Sequence, residues 1–222
     1  MNARPAPRRA TAATPPDADT EARILEAART VFIRRGTAGA RLHEIAAEAG
    51  VTQALIHYYF GSKDALAERV FRESAARMLP VMARLQLEDH TLESLVAAFV
   101  TGYIDVVRHA PFIPGYLLTE TQHHPERLHT LMRSVMGAGP TELAPFVLAR
   151  VEAVLRPAIA AGTVRPIAPA QLLINVIALT VFPFVARPIL ATALHLEGES
   201  FERFLDERRE TLPRFILDAL RP

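Results

Sequence analysis

The stretch LHEIAAEAGVTQALIHYYFGSKDAL, residues 42–66, decides the fold of the chain around it. Apolar side chains recur at helical spacing in its first eight residues, which predicts a short amphipathic helix. Gly50 stands where a left-handed residue ends such a helix, and Thr52 is a good N-cap for a second one. Ser62 has the same N-cap character before a third helix that begins at Lys63. The pattern therefore predicts helix, tight turn, helix, and the start of a third helix.

Two short helices joined by a glycine-containing turn form the helix-turn-helix geometry, in which the second helix is free to enter a major groove. Ile56 and Phe60 are four residues apart and are expected to face inward, which leaves Gln53 and its neighbours facing outward. The alternative interpretation is an ordinary corner between two helices, with Tyr58 and Tyr59 as packing residues.

The same residues resemble the DNA-binding segment of the TetR/AcrR family of transcriptional regulators. The resemblance rests on Ile45-Ala46, Ala49-Gly50-Val51-Thr52, Ile56 through Phe60, and Gly61-Ser62-Lys63-Asp64-Ala65-Leu66. It covers about residues 20–71 well, and the rest of the chain matches only in length and helical character. It implies an all-α fold: a three-helix DNA-binding domain over residues 20–66, and a larger helical domain for ligand binding and dimerisation over residues 67–222. Residues 1–19, rich in proline and arginine, are predicted to form a disordered basic arm.

The resemblance also places a set of residues at the DNA. Gln53 can pair with adenine, and Ala54 or Leu55 can meet a thymine methyl group. Arg41 and His57 depart from the family pattern, which usually has Ser or Thr at the first position and Tyr at the second. The start of the helix that follows Arg41 and the role of His57 therefore stay open. The complete predicted set is Arg41, His43, Thr52, Gln53, Ala54, Leu55, His57, Tyr58, Tyr59 and Lys63.

Lys63 is the residue of this set with the most specific predicted role. It is the only lysine in a chain that otherwise uses arginine. The resemblance places a lysine there, at a helix N-terminus beside a DNA phosphate, and phosphate contacts supply affinity without sequence choice. The sequence therefore predicts a phosphate contact for Lys63.

Beyond residue 91 every apolar pattern is helical, and prolines and glycines separate the helices. A pocket that mixes aromatic area with polar groups is predicted from Phe99, Tyr103, Phe112, Tyr116 and Asn175, with simple core packing as the alternative for each. The last two strongly apolar helices suggest a dimer contact of four helices. Its predicted residues are Leu172, Val176, Leu179, Phe201, Phe204, Leu205 and Leu212.

Composition narrows the function classes. The chain has 222 residues, no cysteine and a net charge of +1, which argues against disulfides, thiol chemistry and a global basic field. The N-terminus lacks an apolar signal core, so a cytoplasmic protein is expected. Residues 166–186 carry no charge and approach the length of a membrane span, but prolines and polar side chains interrupt them, which favours a buried helix.

The sequence thus favours a ligand-responsive DNA-binding regulator, a repressor acting as a homodimer on a pseudo-palindromic operator, with an unidentified small-molecule effector. A small helical binding protein or enzyme without DNA binding is the alternative. The sequence shows neither a glycine-rich phosphate loop nor an acid–base arrangement, so no motif in it favours an enzyme. His124 and His129 lack the spacing of metal ligands on one helix face, so no metal or cofactor is predicted.

Overall fold

The computed structural model describes residues 18–123 and 125–222, and this part of the chain is helical throughout, with no β-strand. Most of the expected basic arm, residues 1–17, lies outside the described residues, as does His124. The all-α prediction is confirmed. The α-helices are α1 (Ala18–Gly39), α2 (Leu42–Ala49), α3 (Gln53–Phe60), α4 (Lys63–Ala75), α5 (Leu79–Leu87), α6 (Leu92–Val107), α7 (Ile113–His123), α8 (Pro125–Met136), α9 (Pro140–Ala160), α10 (Pro169–Val185), α11 (Arg187–Leu194) and α12 (Glu199–Asp218).

The helix-turn-helix forms as its residues predict. Gly50 adopts the left-handed conformation, with φ 64° and ψ 37°, and ends α2. The Thr52 hydroxyl accepts a hydrogen bond of 3.3 Å from the Leu55 N–H and caps α3. The Ser62 hydroxyl accepts one of 3.0 Å from the Ala65 N–H and caps α4. Both N-caps read from the sequence are present, and they orient α3 between α2 and α4.

One apolar core holds α1 to α4 together and extends into the second half of the chain. Its largest fully buried side chains include Phe32, Ile56 and Phe71. Helix α7 and the residue before it join this core through two ring contacts: Phe32 lies 5.9 Å from Phe112, and Phe71 lies 5.0 Å from Tyr116, measured between ring centroids. Helices α1 and α4 are therefore packed against the α7 segment rather than connected to it by a linker alone.

A second core lies among α6, α9, α10 and α12, where Ile104, Leu155 and Leu205 are almost completely buried. A polar seam borders it along α6 and α12. Arg108 lies 2.8 Å from an Asp206 oxygen and 3.0 Å from a Glu202 oxygen. These hydrogen bonds raise the pKa of Arg108 above its ordinary value, so the guanidinium stays charged.

Proline decides where several of these helices begin and bend. The sequence predicts a helix from residue 63 to about residue 79 that kinks or ends at Pro80. In the structure α4 ends at Ala75, a 3₁₀ turn covers Ala76–Met78, and Pro80 lies in the first turn of α5. A proline is tolerated there because the N–H groups of the first turn have no partner within the helix. The chain therefore bends at this point and continues as a helix that the sequence reading left out.

Pro183 lies inside α10 and has no N–H with which to bond the carbonyl of Leu179. Arg208 of α12 supplies the missing donor, because the Arg208 Nη2 donates to the Leu179 oxygen at 2.6 Å. Burial of the Arg208 guanidinium disfavours its charged form and lowers the pKa of Arg208. This bond ties α10 to α12 at the weakest point of α10.

The apolar segment at residues 166–186 belongs mainly to α10, which buries Leu172, Val176 and Phe184 in the second core. Pro183 and Pro188 predict a kink or a split near residues 182–187, and in the structure α10 and α11 meet there at an angle of 68°. Within the described residues, no single helix has both the length and the apolarity needed to cross a bilayer, although this bent pair passes by length and composition.

Candidate nucleic-acid interface and ligand pocket

The outer face of α3 carries the residues expected to read DNA. Gln53, Ala54 and His57 are exposed, and Tyr58 is 55% exposed although it is a large aromatic side chain. Ile56, 1% exposed, holds the opposite face in the core. The predicted division of α3 into an inner and an outer face is therefore present. Leu55 and Tyr59 are half-buried at the border between the two faces.

His57 is held in a fixed orientation at the end of α3. Its Nδ1 lies 2.9 Å from the carbonyl oxygen of Gly61. Since a carbonyl oxygen only accepts, Nδ1 is the nitrogen that carries the hydrogen. This bond satisfies a carbonyl just beyond the helix and leaves Nε2 as the ring nitrogen available to an outside partner.

Arg41 and His43 lie exposed at the start of α2. The sequence alone does not determine where this helix starts, because the Arg41 side chain has no oxygen that could cap it. The structure resolves this point: the Glu44 carboxylate accepts a hydrogen bond of 3.1 Å from the Arg41 N–H, and α2 begins at Leu42. Within the described residues the Arg41 guanidinium forms no ion pair, so its charge is free to meet a phosphate.

Lys63 has a different environment from the one predicted. Its Nζ lies 3.2 Å from the carbonyl oxygen of Thr37, 3.4 Å from that of Ala38 and 3.1 Å from that of Ala40. A lysine ammonium has three donors, and these three carbonyls match that number. In this arrangement Lys63 fastens the start of α4 to the end of α1 and has no donor left for a phosphate.

A cavity of about 230 Å³ lies between α5, α6, α9 and α10. Its walls are apolar apart from Gln86 and Arg150. The lining residues are Met82, Leu85, Gln86, Leu92, Leu95, Val96, Phe99, Val147, Arg150, Val151, Leu172, Leu173, Val176 and Ile177. The arrangement suits an apolar ligand that meets few polar groups.

Of the five residues predicted for a pocket, only Phe99 lines this cavity. Tyr103 lies behind it, with its ring 5.8 Å from that of Phe99, and burial raises the pKa of the Tyr103 phenol. Phe112 and Tyr116 pack instead against Phe32 of α1 and Phe71 of α4, and they line a second, more open cavity there. Asn175 is exposed on α10, because it lies on the face of that helix opposite the second core.

The sequence reading missed the contribution of α5 and α9 to the cavity. Met82, Leu85 and Gln86 lie on α5, and the sequence predicts only a helix that kinks or ends at Pro80, with no separate helix after it. A proline at the first turn of a helix was the signal that could have found it. Arg150 carried no signal at all, since one of two arginines on a long helix has no distinguishing pattern.

The residues predicted for a dimer contact lie mostly inside the protomer. Leu172, Val176, Phe201, Leu205 and Leu212 are buried in the second core, so their side chains are not available to a partner. Leu179 and Phe204 are half-buried against the same core.

The exposed apolar side chains of α10 and α12 are different ones. Ile174 and Phe182 of α10 and Phe215 of α12 are each about 60% exposed. We still predict a dimer contact through these two helices, but the exposed face of each helix differs from the face predicted from the sequence.

Comparisons with known proteins agree with this geometry. Residues 24–70 match the family model of bacterial regulatory proteins, tetR family. The HTH-type transcriptional repressor SCO4008 of Streptomyces coelicolor is 36% identical over 132 residues, which cover 60% of this chain and 57% of the relative. The chain thus aligns with little more than half the length of that relative.

Solved structures share the overall arrangement of helices. HlyIIR, a hemolysin II transcriptional regulator, is 21% identical, with a TM-score of 0.58 over 92% of this chain and 98% of its own. The transcriptional regulator FadR from Bacillus subtilis, solved in complex with stearoyl-CoA, is 14% identical, with a TM-score of 0.53 over 90% of this chain and 98% of its own. The matched segment is thus similar to the tetR family of bacterial regulatory proteins over residues 24–70, and the solved structures share the fold of the whole chain.

Proposed function

We propose that this chain is a transcriptional repressor that binds a pseudo-palindromic operator as a homodimer and responds to a small, largely apolar effector. The observation that carries the proposal is the outward face of α3, with Gln53 and Ala54 exposed at its start and Tyr58 exposed further along. The N-terminal residues of a recognition helix are those that reach base edges. The name of the Streptomyces relative, a transcriptional repressor, supports the same function.

The phosphate contacts in this proposal come from the start of α2 and from the end of α3. Arg41 and His43 are exposed beside the helix-turn-helix, and the outward Nε2 of His57 lies at its far end. Contacts of this kind fix the position of the protein on the duplex, whereas Gln53 supplies sequence choice. The formal net charge of only +1 means that binding depends on this local patch.

The cavity is the proposed effector site because two routes connect it with α3. Helix α5 contributes three lining residues and leads back through the 3₁₀ turn at Ala76–Met78 to α4, which starts directly after the recognition helix. Helix α10, which also lines the cavity, contacts α7, and Phe112 and Tyr116 at the start of α7 pack on the core of α1 to α4. A shift of α5 therefore changes the separation of two recognition helices, which must match one turn of DNA, about 34–36 Å.

The effector class is supported by the composition of the cavity wall and by one neighbour of the same fold. FadR was solved with stearoyl-CoA, an apolar chain with a polar head. An effector that binds one arrangement of the protein more tightly shifts the population toward it, with coupling energies of typically about 1–3 kcal/mol.

A gel shift with the DNA upstream of the chain's own gene tests the proposal. Gln53→Ala is expected to relax preference at one base pair in each half-site, at a cost of roughly 1–3 kcal/mol for the preferred base. Gln122→Ala, at an exposed position on α7, is the matched control and should bind as the unmodified chain does. Equal weakening on every operator variant would show that Gln53 does not read bases, and no shift with any upstream fragment would overturn the repressor function.

A further inference from the structure

The polar end of the cavity is formed by one arginine. Arg150 of α9 and Gln86 of α5 are its two polar lining residues, and both lie where α5 ends at Leu87. The remaining wall, from Leu95 and Phe99 to Val176, is apolar. The cavity thus has a charged end and a hydrocarbon body.

Arg150 is anchored by backbone carbonyls rather than by a carboxylate. Its Nε donates to the Leu85 oxygen at 3.1 Å, and its Nη2 donates to the Glu88 oxygen. These carbonyls lie at the C-terminus of α5, where the partial negative charge of a helix attracts a cation. Among the side chains that the structure describes, no Asp or Glu forms an ion pair with Arg150, so none of these carboxylates neutralises its charge.

Counting donors shows what the guanidinium still offers. An arginine side chain carries five N–H donors in a planar fork, and the bonds to the Leu85 and Glu88 oxygens use two of them. The remaining donors suit a planar anion, and a carboxylate fits such a fork in bidentate fashion. Gln86, on the adjacent helix, can supply a further amide donor at the same end of the cavity.

We infer that the effector is an amphipathic carboxylate, and this inference rests on the proposed function. Its single carboxylate head binds Arg150, and its acyl or aromatic body lies in the apolar cavity. Arg150 then bridges the ligand head and the last turn of α5. The head is held by charge-assisted hydrogen bonds, while the body contributes affinity through burial of apolar surface. The same bridge links ligand binding to α5, the helix that leads back to the DNA-binding domain.

Titration calorimetry with three probes of equal chain length tests this inference. Decanoate, 1-decanol and decyltrimethylammonium share one apolar body and differ in the charge of the head. The unmodified chain is expected to bind decanoate at least about tenfold more tightly than decanol, and decyltrimethylammonium most weakly. Equal affinity for decanoate and decanol, a preference for the cation, or no binding of decanoate would each overturn the inference.

Arginine variants locate the head group. Arg150→Gln should remove the preference for decanoate over decanol, whereas Arg150→Lys should keep part of it. Arg156→Gln, on the same helix and paired instead with Glu152, is the matched control and should keep the full preference. Because a purely structural role of Arg150 would weaken both probes alike, an unchanged ratio in Arg150→Gln would contradict the assignment.

The binding measurement contains no DNA, so its outcome is independent of the repressor function. A gel shift on the operator without any probe checks that function separately. A chain that binds the operator but shows no carboxylate preference would disprove only the effector class.

Discussion

At the residue scale, Lys63 holds the end of α1 against the start of α4. Its ammonium meets the carbonyls of Thr37, Ala38 and Ala40, which follow the point where Gly36, with φ 68°, interrupts α1. Carbonyls at the end of a helix have no partner within it, and a cation there satisfies them and the helix dipole together. Lys63 therefore positions α3, which lies between these two helices in sequence.

Lys63→Met tests this role against the phosphate contact that the sequence predicts. Removal of an ammonium that bonds carbonyls should lower the free energy of unfolding by about 1–3 kcal/mol. The slope of log affinity for DNA against log salt should stay unchanged, because no phosphate contact is lost. Urea unfolding and salt-dependent gel shifts measure the two quantities.

Arg41→Gln is the companion variant, because the Arg41 guanidinium is exposed beside the same surface. It should lower the salt slope by about one unit and leave stability within about 0.5 kcal/mol. If Lys63→Met instead lowers the slope by one and leaves unfolding unchanged, the ammonium contacts phosphate when DNA is bound, as the sequence suggests.

At the element scale, local signals predicted the helices that have caps and missed the one that depends on packing. Thr52 and Ser62 each cap a helix where the sequence places it, because a cap is made by residues three apart in the chain. Helix α5 begins with a proline and is held by Gly102 of α6 and Arg150 of α9, both distant in sequence. Such long-range contacts leave no periodic pattern to read.

Gly102 marks the closest approach of α5 to α6. A Cβ atom at this position would lie 2.6 Å from the Cγ1 atom of Val81, which is shorter than van der Waals contact. Alanine favours a helix over glycine by about 1 kcal/mol, whereas overpacking costs typically about 1–3 kcal/mol. Gly102→Ala should therefore destabilise the chain, or leave it little changed, rather than stabilise it.

Val81→Ala provides the control for this prediction, because it removes the methyl groups that the new side chain meets. In the double variant the alanine at residue 102 should become neutral or favourable, with a coupling energy of about 1 kcal/mol or more. Urea unfolding of all four chains gives this value. Additive effects would mean that α5 and α6 move apart freely.

At the scale of the whole molecule, the sequence identified which helices carry apolar surface but not which face of each is left free. Helix α10 is apolar almost throughout, and the apolar residues of α12 form one broad stripe that includes both Leu205 and Phe215, so periodicity alone could not assign these two residues to different surroundings. The protomer buries Leu205 completely and leaves Phe215 60% exposed. The predicted pocket residues lie apart for the same reason, since Phe112 and Phe99 are equally aromatic and only the tertiary fold separates them.

These differences sharpen the prediction of a homodimer through α10 and α12. Ile174 and Phe215 are exposed apolar residues on these two helices, and Arg208 joins the helices through the Leu179 carbonyl. A two-fold pair would bury this surface and supply the two recognition helices that a palindromic site requires. Ile174→Glu or Phe215→Glu should dissociate the dimer and abolish operator binding while the protomer stays folded, because a charge is costly only where it becomes buried.

Two further variants separate dissociation from unfolding. Leu205→Glu places a charge in the protomer core and should unfold the chain, with loss of the helical circular dichroism signal. Leu118→Glu, at an apolar position on α7 that is 46% exposed, is the surface control and should stay dimeric. Sedimentation velocity at micromolar concentration distinguishes these outcomes: an unmodified chain that sediments as a monomer, or an Ile174→Glu variant that stays a dimer, would contradict this contact.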